Sequence, residues 1–89
     1  MWWQVYDTLD LRGGKAVYIL DDDEDMLEIT YPDGMLIDVG RADSTGLYYI
    51  TVVVSNDVAG WQHPLYEQPV SDKAVLPSCL QQVIHHYRT

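Results

Sequence analysis

The sequence predicts an α+β domain, a five- or six-stranded antiparallel, meander-like sheet with one C-terminal helix packed on one face. Two observations carry this reading. Short runs dense in β-branched and aromatic residues alternate with turn signals along most of the chain, which points to consecutive hairpins. The last residues then change character, and Leu76, Leu80, Val83, Ile84 and Tyr87 recur at helical spacing. A lone helix with one apolar stripe must bury it, and a sheet face is the available place. The runner-up is a partly closed barrel with the helix plugging one end. At 89 residues the chain is one domain, 1–89.

The first strand is expected over 2–9, where Trp3, Val5 and Leu9 share a face and Asp7 interrupts the alternation. Gly13-Gly14 then suits a tight turn with positive φ. A second strand over 15–20 is apolar on both faces, which predicts a central position or cover from two sides. Asp21 to Asp25 read as a hairpin connection, because Asp is poor in strands and good in turns. The third strand, 26–31, points Leu27, Ile29 and Tyr31 inward and Glu28 and Thr30 outward. Tyr31-Pro32-Asp33-Gly34 is a strong turn signal: Pro32 presets φ, and Gly34 takes the left-handed geometry that closes a type I turn with a bulge.

The fourth strand, 35–40, sets Met35, Ile37 and Val39 against Asp38 on the other face. Residues 47–55 are the most strand-like segment and are expected at the centre of the sheet. A sixth strand over 61–66 places Trp61, His63 and Leu65 on one face. Its Pro64 cannot donate to a ladder, so it belongs at an edge. The helix is expected over 77–88, with Pro77 at the first helical position and His85, His86 and Arg88 near the end where cations suit the helix dipole. Ser71 is a candidate cap for a preceding turn.

Charge is the strongest compositional signal. Five Lys and Arg stand against fourteen Asp and Glu, a net charge of −9 at pH 7. Binding to a phosphate backbone draws mainly on cations, so nucleic acid is not an expected partner. An acidic protein is instead steered to basic proteins. No apolar run reaches the roughly 20 residues of a membrane helix. The start lacks the pattern of a signal peptide, and one cysteine, Cys79, gives no internal disulfide. These features favour a cytoplasmic location.

The acidic run does not fit a dedicated calcium loop. An EF-hand beginning at Asp21 needs Gly at its sixth place, where Met26 stands, and Glu at its twelfth, where Pro32 stands. His85 and His86, as helix neighbours, diverge by about 100° and cannot chelate as an i, i+4 pair does. His63 and Cys79 complete no CxxC or HxxxH motif. Arg12-Gly13-Gly14-Lys15 sets glycines beside cations, but it reads as a hairpin turn rather than a phosphate loop. No metal, cofactor or catalytic site is expected, and the chain is not expected to be an enzyme.

Binding is the function that composition supports. Three Trp and seven Tyr with no Phe favour ring systems that carry a polar handle and are enriched at binding surfaces. The expected contact residues are Asp21, Asp22, Asp23, Glu24, Asp25, Tyr18, Tyr48 and Trp61, offered to a basic protein partner such as a toxin or nuclease. In size, acidity and layering the chain resembles immunity proteins that neutralise bacterial toxins, and acidic phage proteins that block host nucleases. The resemblance implies an inhibitor, and no functional residue is carried over from it. The alternative is a structural or homodimeric assembly module whose acidity serves solubility.

Overall fold

The turn Tyr31-Pro32-Asp33-Gly34 forms as its residues dictate. The Gly34 N–H donates to the Tyr31 carbonyl at 3.0 Å, and the Tyr31 N–H donates to the Met35 carbonyl at 3.0 Å. Gly34 takes φ +96°, which closes a three-residue hairpin loop at no steric cost to a residue without Cβ. The computed structural model describes residues 9–21, 24–41 and 44–88. The strand expected over 2–9 lies, apart from Leu9, outside the described residues.

Five strands follow: β1 (Lys15–Asp21), β2 (Glu24–Thr30), β3 (Leu36–Arg41), β4 (Tyr48–Val53) and β5 (Tyr66–Val70). A short helix α1 (Val58–Gln62) separates β4 from β5, and α2 (Leu76–Tyr87) ends the domain. The strands lie in sequence order as an open antiparallel sheet, so the barrel alternative is not formed. Among the described residues β1 has β2 as its sole strand neighbour, whereas β4 lies between β3 and β5 as expected.

The sheet face toward α2 is apolar. Leu27, Ile29, Ile37, Val39, Ile50 and Val52 form one cluster with Leu76, Leu80, Val83 and Ile84, none more than 5% exposed. Burying each of these side chains contributes about 1.5–3 kcal/mol relative to leaving it in water. Tyr87 and Met35 pack at the rim. Polar tethers then fix the helix. Gln81 exchanges two hydrogen bonds with the Asp10 backbone: its Oε1 accepts from the Asp10 N–H at 2.9 Å, and its Nε2 donates to the Asp10 carbonyl at 3.0 Å. Arg88 pairs with Asp33 at 2.7 Å and lies over the Tyr31 ring at 4.1 Å. The helix end is thereby clamped to the β2–β3 turn.

Three expectations change. The strand predicted over 61–66 is instead the end of α1, a loop through Pro64, and the first residue of β5. Asp57 caps α1, its carboxylate accepting the Gly60 N–H at 2.7 Å. That bond, with Gly60 seated against the Ser55 carbonyl, favours one helical turn over extension. The strand that does lie last in the sheet is β5, which carries Pro69, a residue with no N–H to offer a further strand. Before α2, Asp72 rather than Ser71 does the capping: its carboxylate accepts the Ala74 N–H at 2.9 Å in the 3-10 turn Lys73–Val75. The helix begins at Leu76, so Pro77 takes its second position, where the N–H is still unneeded.

Leu80→Ala should cost about 2–5 kcal/mol in denaturant-monitored stability; a near-neutral result would mean the helix does not depend on this stripe. Gly14→Ala should cost about 1–3 kcal/mol. A Cβ there would sit 2.7 Å from both Ile29 Cγ2 and Tyr31 Cε1. An unchanged melting temperature would refute that packing.

Candidate functional site

The β1–β2 hairpin reaches beyond its neighbour. β1 and β2 pair from Lys15↔Thr30 to Asp21↔Glu24, whereas β2 pairs with β3 over Leu27–Thr30 alone. The pairs Ile19↔Met26, Leu20↔Asp25 and Asp21↔Glu24 therefore form a two-stranded arm of about 10 Å. Asp21, Glu24 and Asp25 are strand residues rather than the loop expected from their composition. Ladder pairing that begins at Lys15↔Thr30 carries them along despite their poor strand preference. Asp22 and Asp23, between the strands, lie outside the described residues. Tyr18 sits in β1 opposite Leu27.

Tyr48 and Trp61 are not brought together. Tyr48 starts β4 at the hairpin end of the sheet, opposite Arg41, and packs half-buried against the core. Trp61 lies in α1, beyond the other end of β4, a strand of about 20 Å. Its indole N–H donates to the Asn56 side chain at 2.8 Å, and its ring is 40% exposed beside Val58 at 74%. Val54 and Leu65 are exposed in the same segment, 54–65.

A second acidic feature lies on the sheet face away from α2. The register sets Glu28 opposite Asp38, Asp38 opposite Thr51, and Thr51 opposite Glu67. Side chains directly opposite in antiparallel strands share a face, with Cβ atoms about 4.5–5.5 Å apart. Like charges placed so are destabilising. Burial, and next the Glu28 charge, push the Asp38 carboxyl up to about 6. Thr51 is buried, 7% exposed. Among the described residues, the side chains of Glu28, Asp38 and Thr51 make no hydrogen bond or ion pair.

Sequence reasoning placed Glu28 and Asp38 outward but did not join them. The signal was present: a turn centred on Asp33 pairs residues equidistant from it, and Glu28 and Asp38 are each five positions away. Other carboxylates are compensated. The Arg88 guanidinium holds Asp33 below the usual carboxylate range, and the Gly60 N–H does the same for Asp57.

The remaining sequence candidates stay apart. Cys79 is half-buried against the core, and His63, His85 and His86 are exposed. Among the described residues no three His, Cys, Asp or Glu side chains are grouped to hold a metal ion. Tyr66, Gln68, Gln82, Val83, His86 and Tyr87 line an open cleft of about 270 Å³ between β5 and α2. That is below the 300–1,000 Å³ usual for small-molecule sites. No helix among the described residues is long and apolar enough to cross a membrane. No family model, curated protein or solved structure matches the chain.

The raised Asp38 carboxyl sets a pH dependence with a definite sign. Between the unfolded value near 3.8 and about 6, the folded state holds the extra proton, so this group favours folding as pH falls through 6. Asp38→Asn should raise stability at pH 7.5, by on the order of 1 kcal/mol after allowing for solvent screening. The gain should shrink toward pH 5. Thermal melts at the two pH values check this, and a loss of stability at pH 7.5 would contradict it.

Proposed function

We propose that the chain is a small acidic inhibitor that acts by binding, not by catalysis. It offers carboxylates and tyrosines to a basic protein partner, such as a toxin or nuclease, in the cytoplasm. The acidic end of the β1–β2 arm carries this reading. The sequence carries five consecutive carboxylates, Asp21 to Asp25, and the paired backbone of Asp21, Glu24 and Asp25 lies beyond the Leu27–Thr30 stretch that pairs with β3. A net charge of −9 adds long-range steering. Immunity proteins neutralise toxins with chains of this size and acidity, and the likeness supports an inhibitor over a passive acidic domain.

A homodimeric assembly module is the second reading. It draws on the exposed Val54, Val58, Trp61 and Leu65. Exposed apolar side chains grouped in one segment mark interfaces more often than bare surface. Light scattering across a concentration series separates the two readings.

The direct test is calorimetry against basic proteins encoded beside the chain's own gene. One of them should form a tight complex that weakens as salt rises. Replacing Asp21, Asp22, Asp23 and Asp25 with Asn, and Glu24 with Gln, should weaken it about tenfold or more, chiefly by slowing association. Unchanged affinity and association rate would exclude the arm as the docking element.

A further inference from the structure

We propose that Glu28, Asp38 and Thr51 form a seat for a cationic side chain, a lysine or arginine, of that same basic partner. This rests on the inhibitor reading and adds a second contact to it, inward from the arm. Glu28 stands four residues from Glu24 along β2, about 13 Å, so a partner covering the acidic end meets the seat next.

Three observations converge on an external cation. Glu28 and Asp38 are direct cross-strand partners whose charges oppose one another. Thr51, the partner of Asp38 on the other side, is 7% exposed and carries a hydroxyl with no hydrogen-bond partner among the described residues. A buried hydroxyl without a partner is costly and uncommon. It faces the same side of the sheet as the two carboxyls. Two of the chain's cations are paired elsewhere. Arg12 pairs with Asp10 and Arg88 with Asp33. Lys15 shares the face as a diagonal neighbour of Glu28 across the β1–β2 ladder, and it makes no ion pair among the described residues. Glu67 on β5 and Tyr49 on β4 face the same side, and neither brings positive charge.

The chemistry of the acceptors selects the occupant. Two carboxylates and one hydroxyl match the three N–H donors of an ammonium or the fork of a guanidinium. The grouping does not meet the demands of a metal, since no suitable cluster of three ligands exists among the described residues. An inserted cation also relieves the repulsion between the carboxylates, so the site gains on binding what it forfeits in the free protein.

A hexa-arginine peptide serves as probe, titrated into four proteins at pH 7 and pH 5. The parent should bind about tenfold more weakly at pH 5, because a carboxyl titrating at about 6 must first lose its proton. Asp38→Asn should bind several-fold more weakly than the parent at pH 7 and lose most of the pH dependence. Glu28→Gln should act in the same direction and reads the seat independently if the first variant folds poorly. The arm variant, with Asp21 to Asp25 neutralised, should bind more weakly yet keep the pH dependence. If Asp38→Asn and Glu28→Gln both match the parent in affinity and pH profile, the seat is overturned, while loss in the arm variant leaves the inhibitor reading standing. If the arm variant also matches the parent, both fail together.

Discussion

A three-residue loop, Pro32 to Gly34, decides which side chains of this protein meet. It closes with Gly34 in the left-handed region and makes Asp33 the centre of the β2–β3 pairing. Strand side chains alternate, so a slip of one residue would send every inward group outward. In the observed register Ile29 meets Ile37 and Leu27 meets Val39 beneath the helix, while Glu28 meets Asp38 on the far face. The helix returns to reinforce the loop. Arg88 reaches Asp33 and covers the ring of Tyr31, whose hydroxyl donates to the Leu11 carbonyl at 2.8 Å.

Two faces with different tasks result. The face under α2 is closed by apolar packing and supplies the stability of a small domain. The other face carries Glu28 and Asp38, which form no ion pair among the described residues, alongside the buried Leu36 and Val53. Asp33 and Asp57 show that compensation is available in this architecture, through a guanidinium and a backbone N–H. Among the described residues Asp38 has neither, and the Thr51 hydroxyl beside it makes no hydrogen bond. The proposed seat would let a partner's cation offset the two charges, as a binding surface set in advance of its ligand does.

Most of the fold was legible because hydrophobic period and turn chemistry agree along the middle of the chain. The β2–β3 hairpin shows this best: its alternation and its turn residues specify one register. The helix was legible from Leu76, Leu80, Val83 and Ile84 alone. Residues 55–66 were not, because a single capping bond from Asp57 to Gly60 outweighs the strand-like look of Trp61 to Tyr66. Asp21, Glu24 and Asp25, expected in a hairpin connection, are strand residues instead, since ladder continuity overrides the low strand preference of Asp. The Glu28–Asp38–Thr51 row was invisible to any single-strand pattern. It follows from pairing across three strands, and the β3–β4 register is set by a connection without a clear turn signature.

The most direct measurement is a carbon-detected NMR titration of the side-chain carboxyl groups. The register and burial predict that Asp38 titrates near pH 6, well above its ordinary value of 3.8. Asp33 should titrate below its ordinary value in the same experiment. An Asp38 midpoint near 3.8 would contradict the cross-strand pairing of uncompensated carboxyls, and with it the cation seat.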